Sequence, residues 1–336
     1  MLTTEEAQDR LAAIPNLTTL AHEPLSRHTR FGIGGPADLY AETGSEEAFI
    51  AALAVARDCG TETVVIGGGT NLIVSDEGFR GLVLRYRGAQ LEAHGPCIRA
   101  EAGAELQDLV DFSIDRGLKG LETLAGIPGS VGGAIYGNAG AYGHAIAERV
   151  VEVRFFDGKS VRVFANQECR FQYRESIFKD HKEWIIFSAG LRLEPADAHV
   201  LRETALDIVK VRNEKFPPTM RCAGSIFKNL MLSELPHTAA TEVPARVVRE
   251  GKVPAAWFLE QVGAKGMRLG DIQVAAYHAN LVYNDGAGTA ADLCALIHEL
   301  KARVRERFGL VLEEEVQFVG LGGAGGLCRR PFTEQA

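Results

Sequence analysis

The 336-residue sequence lacks the features that mark several classes of protein. Its 36 basic residues are outnumbered by 44 acidic ones, and the net charge of −8 gives no overall attraction to nucleic acid or anionic lipid. No stretch approaches the roughly 18 apolar residues of a typical transmembrane helix. We therefore predict no nucleic-acid partner and no membrane association, and no pattern indicates an obligate protein partner.

Cysteine is scarce, and its six positions include no CxxC pair. HExxH is also absent, and no His/Cys cluster has the spacing of metal ligands, so we predict no metal site. The N-terminus carries Glu5, Glu6 and Asp9 where a signal peptide would need basic and apolar residues. It resembles an amphipathic helix that begins at Thr4, which we place within residues 1–20. We expect a cytoplasmic protein with reduced thiols.

Glycine, by contrast, is abundant: 37 residues, about 11% of the chain against a usual value of roughly 7%. A first cluster lies in VVIGGGTNL (64–72), directly after a predicted strand, Thr63–Ile66. Backbone N–H groups can turn toward a diphosphate there because no Cβ blocks the approach. The segment matches neither a P-loop nor GxGxxG. Taken alone, a plain tight turn explains it equally well.

The second glycine cluster spans residues 120–143, and no helix or strand of normal length fits through so many breakers. Two glycine-rich loops together favour one large ligand with two ends, such as a dinucleotide. A structural loop covering the core is the alternative.

Hydrophobic periodicity and capping residues predict the main elements. We expect helices over 45–58, 105–116, 198–212 and 289–308, a hairpin around Asp157-Gly158, and a strand over 311–319. Phe216-Pro217-Pro218 breaks the chain, so we place a domain boundary close to it.

Six segments together resemble the UDP-N-acetylenolpyruvoylglucosamine reductase family, also called the UDP-N-acetylmuramate dehydrogenase family. The two glycine clusters, VVIGGGTNL and LAGIPGSVGGAIYGNAGAYG, are similar to its flavin-binding domain. HTRFGIGGPAD, FQYRESIFK, CAGSIFKN and LEEEVQFVG supply further matches in order, over about residues 20–320.

The resemblance implies an α+β fold with a PCMH-type FAD-binding domain of two α+β subdomains and a C-terminal α+β substrate domain. We assign the FAD-binding domain to 21–213, with FAD between its subdomains, and the substrate domain to 214–320. Residues 321–336 are expected to form a flexible tail.

The resemblance also implies a reaction of peptidoglycan precursor synthesis. NADPH reduces non-covalently bound FAD, which then reduces UDP-N-acetylglucosamine enolpyruvate to UDP-N-acetylmuramate. Negative charge develops on the substrate carboxylate as hydride adds to the double bond, so cationic or donor groups must meet it. In this reading Arg174 binds the carboxylate, Glu315 hydrogen-bonds it or pairs with Arg174, and Ser225 protonates the α-carbon.

Further positions are carried over from the same resemblance. The expected cofactor-binding residues are Arg30, Gly67, Gly68, Gly69, Thr70, Asn71, Leu72, Ile127, Ser130, Gly132, Gly133, Asn138 and Ala139. The expected substrate-binding residues are Tyr142, Tyr173, Lys215 and Asn229.

Three questions stay open from the sequence. Segment 230–256 is longer than the family's usual link and is either a lid or a surface insertion, of which we favour the second. A flavin oxidase of the same fold, acting on a small alcohol or hydroxy acid, is the rival enzyme. A non-catalytic flavin- or nucleotide-binding module is the rival of another class, but it would not need Arg174, Ser225 and Glu315.

Overall fold

The computed structural model describes residues 4–321, which form a mixture of helices and strands. The α-helices of this range are α1 (Thr4–Ala12), α2 (Glu46–Cys59), α3 (Leu106–Ile114), α4 (Val131–Tyr136), α5 (Ile177–Asp180), α6 (Ala198–Lys215), α7 (His237–Glu242), α8 (Ala255–Gln261) and α9 (Ala290–Phe308). No helix in this range combines the length and apolar character needed to cross a membrane. The predicted α+β class is confirmed.

The strands of the described range contain between two and eight residues, and seven of them contain only two. They are β1 (Thr18–Ala21), β2 (Ala37–Thr43), β3 (Thr63–Ile66), β4 (Leu72–Val74), β5 (Phe79–Tyr86), β6 (Leu91–His94), β7 (Cys97–Glu101), β8 (Leu118–Lys119), β9 (Gly140–Ala141), β10 (His144–Ala145), β11 (Val150–Phe156), β12 (Val161–Ala165), β13 (Ile185–Arg192), β14 (Glu194–Pro195), β15 (Cys222–Ser225), β16 (Leu230–Met231), β17 (Lys252–Val253), β18 (Arg268–Leu269), β19 (Ile272–Val274), β20 (Leu281–Asn284) and β21 (Gln317–Val319).

The chain divides into two compact units that are discontinuous in sequence. The first contains residues 4–23, Ala37–Gly69 and Arg80–Pro217, and the second contains Pro24–Pro36, Thr70–Phe79 and 218–321. This division differs from the continuous one that we expected, because two segments of the 21–213 range belong to the second unit. The unit change at Pro217–Pro218 lies at the predicted proline break.

The first unit is built on two sheets. One has the strand order β1-β2-β5-β3, in which β3 and β5 are parallel, and the other has the antiparallel order β12-β11-β13-β7-β6. Phe49 of α2 packs edge-to-face on Tyr86 of β5 and Phe187 of β13, with ring centroids 6.0 and 5.8 Å apart. Edge-to-face pairs of this kind add directional attraction to the burial of apolar area. These rings join the helix and both sheets in one core.

The second unit has the antiparallel sheet β15-β20-β19-β18 and a parallel pair, β4 with β21. Helix α9 supplies much of its core, as the 289–308 pattern predicts. Its buried face consists of Leu293, Leu296, Ile297, Leu300, Val304 and Phe308. The Thr289 side chain accepts from the Asp292 amide at 3.0 Å, and Gly309 ends the helix with φ 68°. Both predicted helix ends are therefore confirmed.

The N-terminal helix α1 lies within residues 1–20, where we expect it from the sequence. It ends at Ala12, before Pro15, which cannot donate a helical hydrogen bond, and Asn16, which adopts φ 63°. Thr18–Ala21 instead pairs with β2. The expected flexible tail lies, from residue 322 onward, outside the described residues.

The predicted 311–319 strand is shortened to β21, Gln317–Val319. The chain changes partner inside this segment: Glu314 forms a single bridge to Phe227, whereas β21 pairs with β4. A bend at Val316 separates the two pairings, so the segment does not form one continuous strand.

The two ends of segment 230–256 pair with each other. Leu230–Met231 pairs antiparallel with Lys252–Val253, and α7 and two short 3₁₀ turns occupy the excursion between them.

Candidate active site

The two glycine clusters of the first unit meet through their backbones. An ideal Cβ on Gly68 would lie 3.2 Å from the Cα of Gly129, and one on Gly67 would lie 2.9 Å from the Ser130 hydroxyl. Gly69 adopts φ 66°, which L side chains rarely tolerate. Residues larger than glycine at positions 67 and 68 would therefore push the two loops apart.

Ser130 organises the second cluster. Its hydroxyl caps α4 by accepting from the Gly133 amide at 3.2 Å, while the Gly132 amide donates to the Ala102 carbonyl at 2.8 Å. A Cβ on Gly132 would lie 2.9 Å from the Ala102 Cβ, so this glycine is needed for packing. The six residues of α4 agree with the expectation that no helix of normal length spans 120–143.

Exposed backbone flanks the Ser130 hydroxyl on both sides, at Gly67 and Gly133. A surface of main-chain groups and one hydroxyl, without bulky side chains, fits the diphosphate-containing cofactor FAD. Ile127 is half-buried against the core beside this surface. The Ala139 amide and carbonyl are both used internally, with Ala134 and Ile146, so its contribution to a ligand would be through van der Waals contact.

Arg174 sits at the tip of a tight turn in the first unit. The Gln172 and Glu175 backbones bond reciprocally, at 3.0 and 3.1 Å, which leaves Tyr173 and Arg174 at the tip. Arg174 adopts φ 60°, a left-handed conformation that costs a non-glycine residue about 1–2 kcal/mol. Its Nη2 donates to the Gly140 carbonyl at 3.0 Å, and its guanidinium lies 5.2 Å from the Tyr173 ring centroid.

The Arg174 turn is tied to the second glycine cluster at both of its ends. The Asn138 side-chain amide donates to the Gln172 carbonyl at 2.8 Å, and the Ser176 hydroxyl donates to the Tyr136 carbonyl at 2.7 Å. The position of Arg174 therefore depends on the loop expected to hold the cofactor. Burial, reinforced by the Glu175 carboxylate, raises the pKa of Tyr136 and keeps this phenol neutral.

Backbone strain is concentrated at predicted site residues of the first unit. Among the described residues, seven non-glycine positions have φ in the left-handed region, and Asn138, Tyr142 and Arg174 are three of them. Such strain persists where the surrounding structure enforces it, often at functional sites. Tyr142 is exposed, with 53% of its surface accessible. Lys215, the last residue of α6, is also exposed, with Nζ 5.1 Å from the Phe216 ring centroid.

The second unit brings Ser225 and Glu315 onto neighbouring segments. Ser225 ends β15, and the carbonyl of the next residue, Ile226, accepts from the Glu315 amide at 2.8 Å. Both residues are partly exposed. The motifs that contain Ser225 and Glu315 are far apart in the sequence, and within this unit a backbone hydrogen bond brings them side by side.

Two of the three consecutive glutamates of LEEEVQFVG form ion pairs, each with a different lysine. Glu313 pairs with Lys228, and Glu314 lies 2.7 Å from Nζ of Lys301. Each of the first two acids therefore pairs with its own lysine, and the Glu313 side chain remains 70% exposed.

Asn71, which follows the glycines of the first cluster, contacts the backbone of Glu315. Its side-chain amide donates to the Glu315 carbonyl at 2.9 Å, and its own carbonyl accepts from the Gln317 amide at 2.9 Å. Leu72 begins β4, which pairs with β21. Thr70 and Arg30 are half-buried in the same unit. The sequence did not indicate that Asn71 would support Glu315, because the two are 244 positions apart.

Asn229 also has a structural contact in the second unit. Its side-chain oxygen accepts from the amide of Ala255, the first residue of α8, at 3.3 Å. Within residues 4–321, no group of three or more His, Cys, Asp or Glu residues could hold a metal ion.

Two family models match the chain. One, described as an FAD binding domain, matches residues 37–163, and the other, described as the C-terminal domain of UDP-N-acetylenolpyruvoylglucosamine reductase, matches 216–319. A UDP-N-acetylenolpyruvoylglucosamine reductase from Solibacter usitatus is 68% identical over 311 residues, which cover 93% of this chain and 100% of the relative. The chain belongs to the UDP-N-acetylenolpyruvoylglucosamine reductase family.

More distant members of this family are similar over nearly the same length. The reductase from Rubrobacter xylanophilus is 40% identical over 303 residues, covering 89% of this chain and 94% of the relative. The crystal structure of the Thermus caldophilus reductase superposes with a TM-score of 0.69 at 28% identity, covering 90% and 98% of the two chains. The predicted family and its α+β flavin-binding fold are confirmed.

Proposed function

We infer that this chain is an FAD-dependent oxidoreductase that uses NADPH to reduce UDP-N-acetylglucosamine enolpyruvate to UDP-N-acetylmuramate. The observation that carries this conclusion is the 68% identity to a reductase of that name over the relative's whole length. The product is a precursor of peptidoglycan. The same-fold oxidase alternative lacks comparable support.

We propose that the substrate carboxylate is met by Arg174. FAD, when bound, supplies the hydride that it has received from NADPH. As this hydride adds to the β-carbon of the enolpyruvyl double bond, the π electrons move toward the carboxylate. A guanidinium presents a permanent charge and a planar pair of donors that match this group. Loss of such a contact typically slows the step by about 10²–10³-fold.

The proton is assigned to Ser225, whose hydroxyl would donate to the α-carbon and so complete addition across the double bond. Glu315 would assist by hydrogen bonding the same carboxylate or by pairing with Arg174. What supports these roles is the backbone bond that sets Glu315 beside the Ser225 segment and the enforced strained turn at Arg174.

The cofactor residues are proposed from the glycine contacts of the first unit and from the resemblance to the family. Gly67, Gly68, Gly69, Ser130, Gly132 and Gly133 form the backbone surface that fits FAD, while Thr70, Asn71, Leu72, Arg30, Ile127, Asn138 and Ala139 complete the set. Tyr142, Tyr173, Lys215 and Asn229 are proposed to bind the UDP-sugar. We also propose that the enzyme is cytoplasmic, because its substrate and its reductant are both nucleotides.

The two half-reactions test this function separately. Anaerobic NADPH should bleach the flavin absorbance of the purified protein, and the enolpyruvyl UDP-sugar should restore it. Ser225→Ala should leave bleaching largely intact and slow recovery by about 10²–10⁴-fold, the usual range for general acid catalysis. Ser233→Ala, at an exposed serine of the same unit, is the matched control.

Each unfavourable result has a distinct meaning. If both half-reactions slow equally in Ser225→Ala, the proton-donor assignment is wrong. If a small hydroxy acid bleaches the wild-type flavin, and oxygen but not the UDP-sugar restores its absorbance, the oxidase alternative replaces the reductase.

A further inference from the structure

Lys179 lies next to the Arg174 turn without belonging to its tip. It is in the short helix α5, and only 13% of its side chain is exposed. Its Nζ donates to the backbone carbonyl of Arg174 at 2.5 Å and lies 3.5 Å from a carboxylate oxygen of Glu175. The ammonium therefore acts on the backbone of Arg174 rather than on its side chain.

The contact lies at the tip of the turn. The ends of the turn are fixed by Asn138, bonded to the Gln172 carbonyl, and by Ser176, bonded to the Tyr136 carbonyl. The tip must hold Arg174 at φ 60° against the preference of an L residue. A charged donor on the carbonyl favours one orientation of that peptide, because a hydrogen bond to an ionised group is stronger than a neutral one.

The charge of Lys179 is also balanced locally. Glu175 lies four positions before it, and a carboxylate oxygen of Glu175 is 3.5 Å from the Lys179 Nζ, so the ammonium has an opposite charge beside it. This arrangement suits a support for the backbone better than a second cation for the substrate. Arg174 Nη2 then reaches the Gly140 carbonyl of the second glycine cluster.

We propose that Lys179 is a positioning residue that holds the Arg174 peptide in its left-handed conformation and thereby aims the guanidinium at the substrate carboxylate. This inference rests on the proposed function through the role given to Arg174. A displacement of about 1 Å in a reacting geometry can cost about a hundredfold in rate. Because NADPH oxidation does not use the substrate carboxylate, only the second half-reaction should depend on Lys179.

The experiment compares three variants of the full-length, FAD-loaded protein. Lys179→Met removes the donor but keeps the length of the side chain, and Lys179→Arg restores a charged donor. Lys182→Met is the matched control, since Lys182 is exposed three positions away. Each protein is measured for flavin bleaching by NADPH, for recovery with the enolpyruvyl UDP-sugar, and for hydrogen exchange of the Glu175 amide, which donates to Gln172 across the turn.

Lys179→Met should exchange the Glu175 amide about tenfold faster and slow flavin recovery by about 10–100-fold, with bleaching within about twofold of wild type. Lys179→Arg should recover most of both losses, and Lys182→Met should match wild type. Unchanged exchange, or equal slowing of both half-reactions, would overturn the role of Lys179. If wild type fails to turn over the UDP-sugar, the proposed function fails, while the exchange comparison still decides whether Lys179 holds the turn.

Discussion

The side-chain amide of Asn71 holds the backbone carbonyl of Glu315 at 2.9 Å. The carbonyl of Asn71 accepts from the Gln317 amide at the same distance, so Asn71 bonds to the Glu315–Gln317 segment through its side chain and its backbone. On the other edge, the Glu315 amide donates to Ile226, beside Ser225. The segment carrying Glu315 is thus held between the glycine motif and the serine motif of the second unit.

Asn71→Ala should weaken this support. Loss of one hydrogen bond costs about 1 kcal/mol and frees the Glu315 carbonyl to move. We expect flavin recovery with the UDP-sugar to slow by about tenfold, and stopped-flow absorbance of the two half-reactions measures it. Asn213→Ala, at an exposed position on α6 of the first unit, is the control. Unaltered recovery in an FAD-loaded Asn71→Ala protein would show that Glu315 does not need this contact.

Two neighbouring glycines should respond differently to the same added methyl group. Gly132→Ala places a Cβ 2.9 Å from the Ala102 Cβ, and such overpacking costs about 1–3 kcal/mol. Gly133→Ala meets only the Ser130 hydroxyl, at 3.5 Å, which is ordinary contact. Urea unfolding of the apoprotein should therefore show a loss of stability for the first variant alone.

FAD binding by these glycine variants tests the proposed cofactor surface. Because the exposed Gly133 backbone is part of that surface, Gly133→Ala should weaken FAD binding by about tenfold, or about 1.4 kcal/mol, without unfolding the protein. Titration of apoprotein with FAD, followed by fluorescence quenching, measures this. Gly44→Ala, where the new Cβ lies 3.7 Å from Gly88, is the control. Wild-type affinity in Gly133→Ala would place the cofactor elsewhere.

Local signals in the sequence identify elements whose ends depend on short-range chemistry. The Ser45 cap of α2 and the Asp157 turn of the β11–β12 hairpin are confirmed, since each side chain bonds to amides two or three residues later. Elements defined by distant partners were not predictable in this way. The 311–319 segment reads as one strand, and its break follows from a change between partners that are far away in sequence.

The site shows the same limit. The family motifs name Arg174, Ser225 and Glu315, but no local pattern predicts the left-handed backbone of Arg174. That conformation depends on Lys179, five positions away, and on Gly140, 34 positions away. The assignment of Pro24–Pro36 and Thr70–Phe79 to the second unit likewise reflects long-range packing, which the prolines and glycines near the segment ends do not reveal by themselves.

Asp76 contacts the start of α9, which lies 214 positions later in the sequence. Its two carboxylate oxygens accept from the amides of Ala290 and Ala291, at 2.8 and 3.0 Å, at the start of α9. Asp76→Ala should lower the free energy of unfolding by about 1–2 kcal/mol, as for loss of a helix cap. Asp76→Asn, which keeps an acceptor, should lose less, and Asp207→Ala, at an exposed position on α6, should lose little. Chemical denaturation measures all three, and equal losses in the three would remove the capping role.

Cys169 and Cys97 should differ sharply in reactivity. Burial, with a smaller contribution from Glu168, raises the pKa of the Cys169 thiol to about 12, whereas Cys97 is partly exposed. At pH 8.5 the Cys169 thiolate should be about a thousandfold rarer than that of an ordinary cysteine. Iodoacetamide labelling of the folded protein, read by peptide mass spectrometry, should modify Cys97 well before Cys169.

The same shift has a consequence for stability. The folded state binds the Cys169 proton more tightly than the unfolded state, so its contribution is complete below pH 9 and is lost as pH rises from there through about 12. Cys169→Ala should therefore flatten the decline in unfolding free energy across this window, measured by urea denaturation at a series of pH values. Labelling in urea supplies the control, because both thiols should then react alike. Equal labelling rates in the folded protein would mean that Cys169 is accessible and its thiol unshifted.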